Sequence, residues 1–319
     1  MILVIGPTGC IGRAVVDRLV TSGHQVKCLW HWGEWHLVPR RVAVCGGDVR
    51  NSESLQQAMA EDGVHTVINL ASIRRESPDD SFEGVHITGM RNVIDAMKRT
   101  GVNRLITVGC LGAEGRSPYA MLRSLGKAED IVRSSGVNFT VLKSAAVYGE
   151  GDWLTSWING MAKAMPFMMP VPHGGETKLQ PIWVGDVAAC VDRCLNLRQT
   201  FRQVVPIGGP QSLTLNDIAL TTLKATGKKR RLMRVPTTLT RQVFGMFERI
   251  RGALQQDEMD ALSYNRTTET SGVHRVFGFA PAKMPTKLAY LAPNYEPPLL
   301  PIQFRAQPRW NLRQRLLGR

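Results

Sequence analysis

No window of this 319-residue chain approaches the about 18 consecutive apolar residues that a membrane-spanning helix needs. The six cysteines, at 10, 28, 45, 110, 190 and 194, show no paired spacing, and several fall in apolar runs. Reduced, buried thiols are expected, not a disulfide framework. Cys190 and Cys194 stand one helical turn apart, but no second ligand pair accompanies them, so no metal site is expected. No internal repeat, low-complexity block or DNA-reading motif occurs, and no aromatics are interleaved with the basic residues. That argues against nucleic acid as a partner. The first apolar strand begins at residue 2, so no signal or transit peptide is expected in front of it. A cytoplasmic protein is expected, at most peripheral to the inner, cytoplasmic membrane.

Acidic residues are scarce in two places. Residues 303–319 hold five arginines and no acid. Between Lys224 and Arg251 nine basic residues are opposed by Glu248 alone. The net charge of +14 is therefore unevenly placed. Stripes of this kind attract an acidic protein partner or an anionic membrane surface, or remain a solvated face.

What is present begins at the N-terminus. Residues 2–5 are apolar, and Gly6, Gly9 and Gly12 follow at a G-x-x-G-x-x-G spacing. Ile11, Val15, Val16, Leu19 and Val20 then repeat at helical period, Ser22 and Gly23 end the helix, and a second strand runs from Gln25 to Trp30. Glycine allows a tight turn and lets bare backbone approach a pyrophosphate. The following helix aims unpaired N–H groups and its positive dipole end at the same anion. The strand–loop–helix–strand context makes this a dinucleotide site.

Strand and helix patterns alternate through residues 41–45, 52–59, 66–70, 84–99, 105–108, 122–134 and 138–142. That implies an α/β fold with a doubly wound parallel (Rossmann) sheet. Residues 1–150 form the dinucleotide-binding domain, with strand and helix contributions from 180–225. Residues 151–292 form a smaller C-terminal α/β lobe on the substrate or partner side. A helix is expected from Trp153 to Met169, another from Gly185 to Leu195, a strand at 203–207, and a helix at 214–225 with Thr214 as N-cap. Residues 293–319 are a proline-rich and then arginine-rich basic tail, suited to docking.

Several segments occur in one order: Gly47-Asp48-Val49, 67–71, Gly89-Met90-Arg91-Asn92-Val93, Lys127-Ala128-Glu129, 147–152 and 180–188. With the glycine loop, this set resembles the extended, atypical short-chain dehydrogenase/reductases. The closest likeness is to the NmrA-like branch that includes the Rossmann-type accessory subunit of respiratory complex I. The resemblance runs to about residue 225 and more weakly to 291. It implies a bound NAD(P)(H), held by Gly6, Thr8, Gly9, Cys10, Ile11 and Gly12 at the pyrophosphate. Asp48 and Val49 would flank the adenine, and Leu70, Ala71 and Ser72 would lie along ribose and nicotinamide. The family's NADP-type arginine falls at His31, with Glu34 a little beyond. With Arg13 and Lys27 nearby, the reading leans to NADP(H) over NAD(H). His31 packed among tryptophans is the plainer alternative.

The resemblance also implies a Ser–Tyr–Lys triad, which the chain does not carry. The three positions fall on Gly109, Met121 and Leu125. A displaced set, Tyr119, Arg123 and Lys127, would share a helix face if the helix reached back that far. Arg123 is a poor substitute because its charge is fixed. Other departures are Lys143-Ser144, Asp152-Trp153 and Trp183-Val184-Gly185-Asp186. Two functions follow. One is a dinucleotide-holding accessory or assembly subunit of a membrane-associated electron-transfer complex. The other is an NAD(P)H-dependent reductase, dehydrogenase or isomerase of a hydrophobic carbonyl or sugar-like substrate.

Overall fold

Strand β1, Ile2–Ile5, is buried at all four positions, as a strand with neighbours on both edges and helices on both faces must be. It sits near the middle of a seven-stranded parallel sheet in this computed structural model, which describes residues 1–31, 42–246, 258–259 and 262–295. The remaining strands are β2 (Val26–Trp30), β3 (Ala43–Gly46), β4 (Thr66–Asn69), β5 (Arg104–Cys110), β6 (Asn138–Ser144) and β11 (Gln203–Ile207). Their order is β11-β6-β5-β4-β1-β2-β3. The winding direction reverses between β1 and β4, which opens a crevice beyond the strand carboxyl ends. Ile2 is in register with Val26 on one side and Thr66 on the other.

Helices cover both faces. On one face α1 (Cys10–Thr21) and α6 (Val184–Cys194) pack Val15, Val16, Leu19, Val187 and Val191 against Val4, Ile68 and Ile106. Cys28, Cys190 and Cys194 are buried in this core as free thiols. Among the described residues no group of three or more side chains could hold a metal. On the other face α2 (Ser52–Ala60), α3 (Gly89–Thr100) and α4 (Ala120–Ser134) bring Leu55, Met59, Val93, Met97 and Val132 against Leu3, Val67 and Leu105. Helix α3 is entered through a π-helical turn, Glu83–Thr88, where the sequence reading had one continuous helix.

A third core draws on residues 146–288. It gathers β7 (Val147–Tyr148), α5 (Trp153–Ala164), β8 (Met168–Val171), β9 (Lys178–Leu179) and β10 (Ile182–Trp183). β12 (Leu213–Thr214), α7 (Leu215–Ala225), β13 (Arg231–Arg234), α8 (Thr237–Gly245) and α9 (Gly272–Phe277) follow in the chain. Thr214 caps α7 in a reciprocal capping box with Asp217. The helix expected from Trp153 to Met169 is shorter. Pro166 forces Met165 out of the helical region, to φ −119 and ψ 103, and Met168–Val171 becomes strand β8 instead. Its partner is β13, from the stretch read in sequence only as a basic group. Residues 296–319 of the tail, Glu34 and the start of the 41–45 strand lie outside the described residues. No helix among the described residues is long and apolar enough to cross a membrane.

Candidate functional site

The crevice at the β1/β4 switch point holds a cleft of about 350 Å³. Its floor is made by close backbone approach. Gly6 has φ +77, and a Cβ there would lie 2.8 Å from Ala71 N and Leu70 C. Gly12 faces the Gly6 carbonyl so closely that a Cβ would overlap its oxygen. Only glycine satisfies both positions. Helix α1 starts at Gly9 with no side-chain cap and no acid in its first turn. By contrast α2, α5 and α7 are capped by Asn51, Asp152 and Thr214. The free N–H groups of α1 are left to an anion.

Gly6, Thr8, Gly9, His31, Asp48, Val49, Leu70, Ala71 and Ser72 all line this cleft. Ile11 and Gly12 continue into α1, and Cys10 opens that helix. Burial, with Asp152 nearby, pushes the Cys10 thiol up to about 12, so it is a neutral group and no nucleophile.

At the far end, Asp48 accepts from Arg50 N at 2.9 Å and from Arg50 Nε at 2.8 Å, and Arg50 Nη2 lies 2.7 Å from the same carboxylate. His31 Nε2 lies 3.1 Å from the same carboxylate. Burial opposes ionisation of Asp48, but the hydrogen bonds from His31 and Arg50 outweigh it and hold the carboxyl well below the usual range. Arg50 also reaches Asp80 at 3.2 Å and the Asp79 carbonyl. Asn92 donates to the Val49 carbonyl at 2.9 Å, and a side chain at Gly89 would press on Val49. These contacts explain the Gly89–Asn92 segment. It supports Val49 and the cleft wall from behind. His31 is thus hydrogen-bonded to Asp48.

The end beyond Ser72 is built differently. His86, from the π-helical turn, is buried beneath the β4 exit. Its Nε2 accepts from Ile73 N at 3.0 Å and lies 3.0 Å from Ser72 Oγ. Nδ1 must then carry the proton, which points at Ser124 Oγ, 2.8 Å away on α4. Burial pushes the imidazole down to about 4, so it is neutral near pH 7. Asn69 Oδ1 accepts from Ala71 N at 3.2 Å, and Thr107 Oγ1 donates to the Asn69 carbonyl at 2.9 Å. The positions aligned with the missing triad offer no such groups. Gly109 and Leu125 line a cavity of about 30 Å³ with apolar Ala128, Val132 and Val141 and with polar Asn69, Ser72, His86, Thr107 and Glu129. That is room for a water and no more.

Tyr119 is the N-cap residue of α4, with extended backbone at φ −85 and ψ 124, so its side chain is off the helical register. Its hydroxyl lies 2.8 Å from Ser263 Oγ, and its ring stacks on Tyr264 at 5.5 Å. Arg123 donates to the Ser117 carbonyl at 2.8 Å. None of Tyr119, Arg123 and Lys127 lines the dinucleotide cleft or the small cavity beside it. Lys143 instead pairs with Glu129 at 3.0 Å and donates to the Ala113 carbonyl at 2.8 Å. Asp152 is the buried N-cap of α5, accepting from Thr155 N at 2.7 Å and Tyr290 Oη at 3.0 Å.

Sequence reasoning missed His86, Arg50 and Asn69. A lone histidine three residues before Gly89 gives no periodic signal, and the π turn shifts its register. Arg50 could have been found: it stands two residues after Asp48, the spacing of a turn in which the carboxylate binds the backbone N–H ahead.

Residues 6–157 match the model of the NAD(P)H-binding family. The chain is 31% identical over 227 residues to the mitochondrial NADH dehydrogenase [ubiquinone] 1 alpha subcomplex subunit 9 of Arabidopsis thaliana. That match covers 68% of this chain and 55% of the plant subunit, so the chain spans about half that relative's length. It is 26% identical over 255 residues to the photosystem II assembly factor Ycf39 of Cyanophora paradoxa, covering 74% of this chain and 71% of that one. Among solved structures, a nucleoside-diphosphate-sugar epimerase from Staphylococcus aureus superposes with a TM-score of 0.72 at 20% identity. The superposition covers 90% of this chain and 99% of the epimerase, and it shows the shared fold.

Proposed function

From the NAD(P)H-binding family match over residues 6–157 and the likeness to these relatives, we infer an accessory or assembly subunit of a membrane-associated electron-transfer complex, built like the atypical short-chain dehydrogenase/reductases around a nicotinamide dinucleotide. The nucleotide is a retained structural or sensing ligand in this reading. One observation carries it. The pyrophosphate cradle keeps every close backbone approach, while Gly109, Met121 and Leu125 stand where hydroxyl, phenol and ammonium would move protons. Hydride transfer to a carbonyl needs a proton donor at the oxygen, and a hydrogen, a thioether and an isobutyl group supply none at these three positions. The family resemblances to a respiratory subunit and a photosystem assembly factor support the same reading.

The selectivity follows from charge. A 2′-phosphate would need His31 and Arg50 as counter-ions, and Arg50 is already engaged by Asp48 and Asp80. A free 2′-hydroxyl leaves that network intact and finds an acceptor in Asp48. The geometry therefore favours NAD(H) over the NADP(H) toward which the sequence leans.

The test is to purify the protein, identify the nucleotide it carries by mass, and assay NADH and NADPH oxidation against a panel of hydrophobic aldehydes, ketones and quinones. Bound dinucleotide at near one per chain with no turnover is the expected result. Turnover that disappears in Tyr119→Phe would overturn the reading in favour of a reductase.

A further inference from the structure

The C-terminal lobe has a projecting surface that the nucleotide does not use. After α5 ends, Pro166 turns the chain, and Phe167 and Met168 lead into β8 with 81% and 48% of their surface exposed. Strand β13 runs alongside, with Arg231 in register with Met168 and its N–H donating to the Phe167 carbonyl at 3.1 Å. Cations crowd the same turn. Arg230 Nε closes the end of α5 by donating to the Ala162 and Met165 carbonyls at 3.2 and 2.9 Å. Lys228 Nζ lies 2.5 Å from Asn159 Oδ1. Burial first, and then the neighbouring Lys163 and Arg230, depress its pKa. Lys163, Lys229 and Arg231 are exposed.

Among the described residues nothing of opposite sign answers them. There is no Asp or Glu from 153 to 175 or from 218 to 247, the two stretches that β8 and β13 bring together. Among the described residues none of Lys163, Lys228, Lys229, Arg230 and Arg231 has a carboxylate partner. An exposed phenyl ring is unfavourable in water and clustered cations repel one another, and an anionic lipid interface relieves both.

We propose that this turn docks on anionic phospholipid, with Phe167 and Met168 entering the headgroup–acyl boundary and the surrounding lysines and arginines lying against lipid phosphates. The apolar part is a two-residue tip on a turn. It is too narrow for the roughly 800 Å² per partner of a stable protein–protein interface, and it has the shape of an insertion wedge. This deepens the accessory-subunit reading by naming the surface that meets the bilayer. The nucleotide content measured above tests that reading separately.

The experiment is co-sedimentation of the full chain with phosphatidylcholine vesicles, with and without one-third phosphatidylglycerol. Phe167→Ser/Met168→Ser removes the tip, and Lys229→Glu/Arg231→Glu reverses two exposed cations without touching the Arg230 or Lys228 contacts. Leu220→Ser removes an exposed apolar side chain elsewhere, 52% exposed, and serves as the control. We expect binding only to the phosphatidylglycerol vesicles. The charge reversal should weaken it at least about tenfold, since each basic residue contributes roughly fivefold near such a surface. The tip variant should weaken it by a similar factor, and the control should not change it. Equal binding by all four proteins, or none to anionic vesicles, overturns the proposal. So does a variant that loses binding to an isolated acidic protein complex while its vesicle binding is unchanged.

Discussion

At the pyrophosphate end of the cleft, Gly6 and Gly12 leave no space for even a methyl group, and α1 offers its first N–H groups uncapped. At the opposite end, Gly109, Leu125 and Val141 surround a space the size of a water. His86, which lines that space together with Asn69, Ser72, Thr107 and Glu129, ties the β4 exit to α4. The first region is built so that a ligand must complete it. The second is built so that protein completes itself. Grip and chemistry are separable on this fold because the grip is backbone, dictated by loop geometry, whereas chemistry depends on three side chains that can each be replaced without moving the chain.

The largest effect is expected where a single atom breaks the grip. Gly12→Ala places a Cβ inside the Gly6 carbonyl shell, on backbone that cannot move without pulling β1 away from β4. We expect about 3 kcal/mol or more of destabilisation and loss of the bound dinucleotide. Denaturant melts with nucleotide quantified per chain decide it. Wild-type occupancy in this variant would mean that the cradle is not the ligand site.

Next comes the self-completing end. His86 has its folded pKa near 4 against 6.5 in the unfolded chain. Between those values the unfolded state binds the proton and the folded state does not. Stability is therefore complete above about pH 6.5 and falls as pH drops toward 4, by up to about 3 kcal/mol. His86→Gln should flatten that slope in urea midpoints measured across the window. An unchanged slope would show that His86 is protonated in the folded state and free to give up a proton, which would weaken the contrast between the two ends.

A smaller effect sharpens the adenine side. Asp48→Asn releases Arg50 and His31 from their shared carboxylate. The freed cations should shift preference toward NADP(H) by roughly tenfold, about 1.4 kcal/mol. Competition binding of NADH and NADPH measures it. A shift in the opposite direction would assign Asp48 a different role.

The legible parts of the molecule are those with a local cause. The glycine loop, the alternation through residue 142 and the Thr214 cap each follow from propensity or hydrogen bonding within a few residues, and each could be read directly. The end of α5 was misjudged because hydrophobic residues continue to Met169, and composition was allowed to outweigh the backbone restriction from Pro166. His86 was invisible for another reason. Its partners, Ile73 and Ser124, lie 13 and 38 residues away, and a π turn brings it to them. The Asp48–Arg50–Asp80 network is half local: the Asp48–Arg50 turn is encoded in three residues, and the link to Asp80 comes from tertiary folding.

Tyr119→Phe is the smallest change and the most pointed one. The phenol stands at the start of α4, and the displaced-triad alternative needs it to transfer a proton. In the structure its hydroxyl meets Ser263 Oγ at 2.8 Å, its ring lies nearly parallel to Tyr264, and it does not line the cleft. Removing the hydroxyl then costs one side-chain hydrogen bond, about 1 kcal/mol of stability, while the ring stacking survives. Nucleotide content should be unchanged, because no contact of Tyr119 touches the cradle. Melting temperature and nucleotide occupancy, measured on the same preparation, separate this from a catalytic role. A catalytic tyrosine would also be a ribose neighbour, and its loss would lower occupancy or release the ligand faster while leaving the melt almost unmoved.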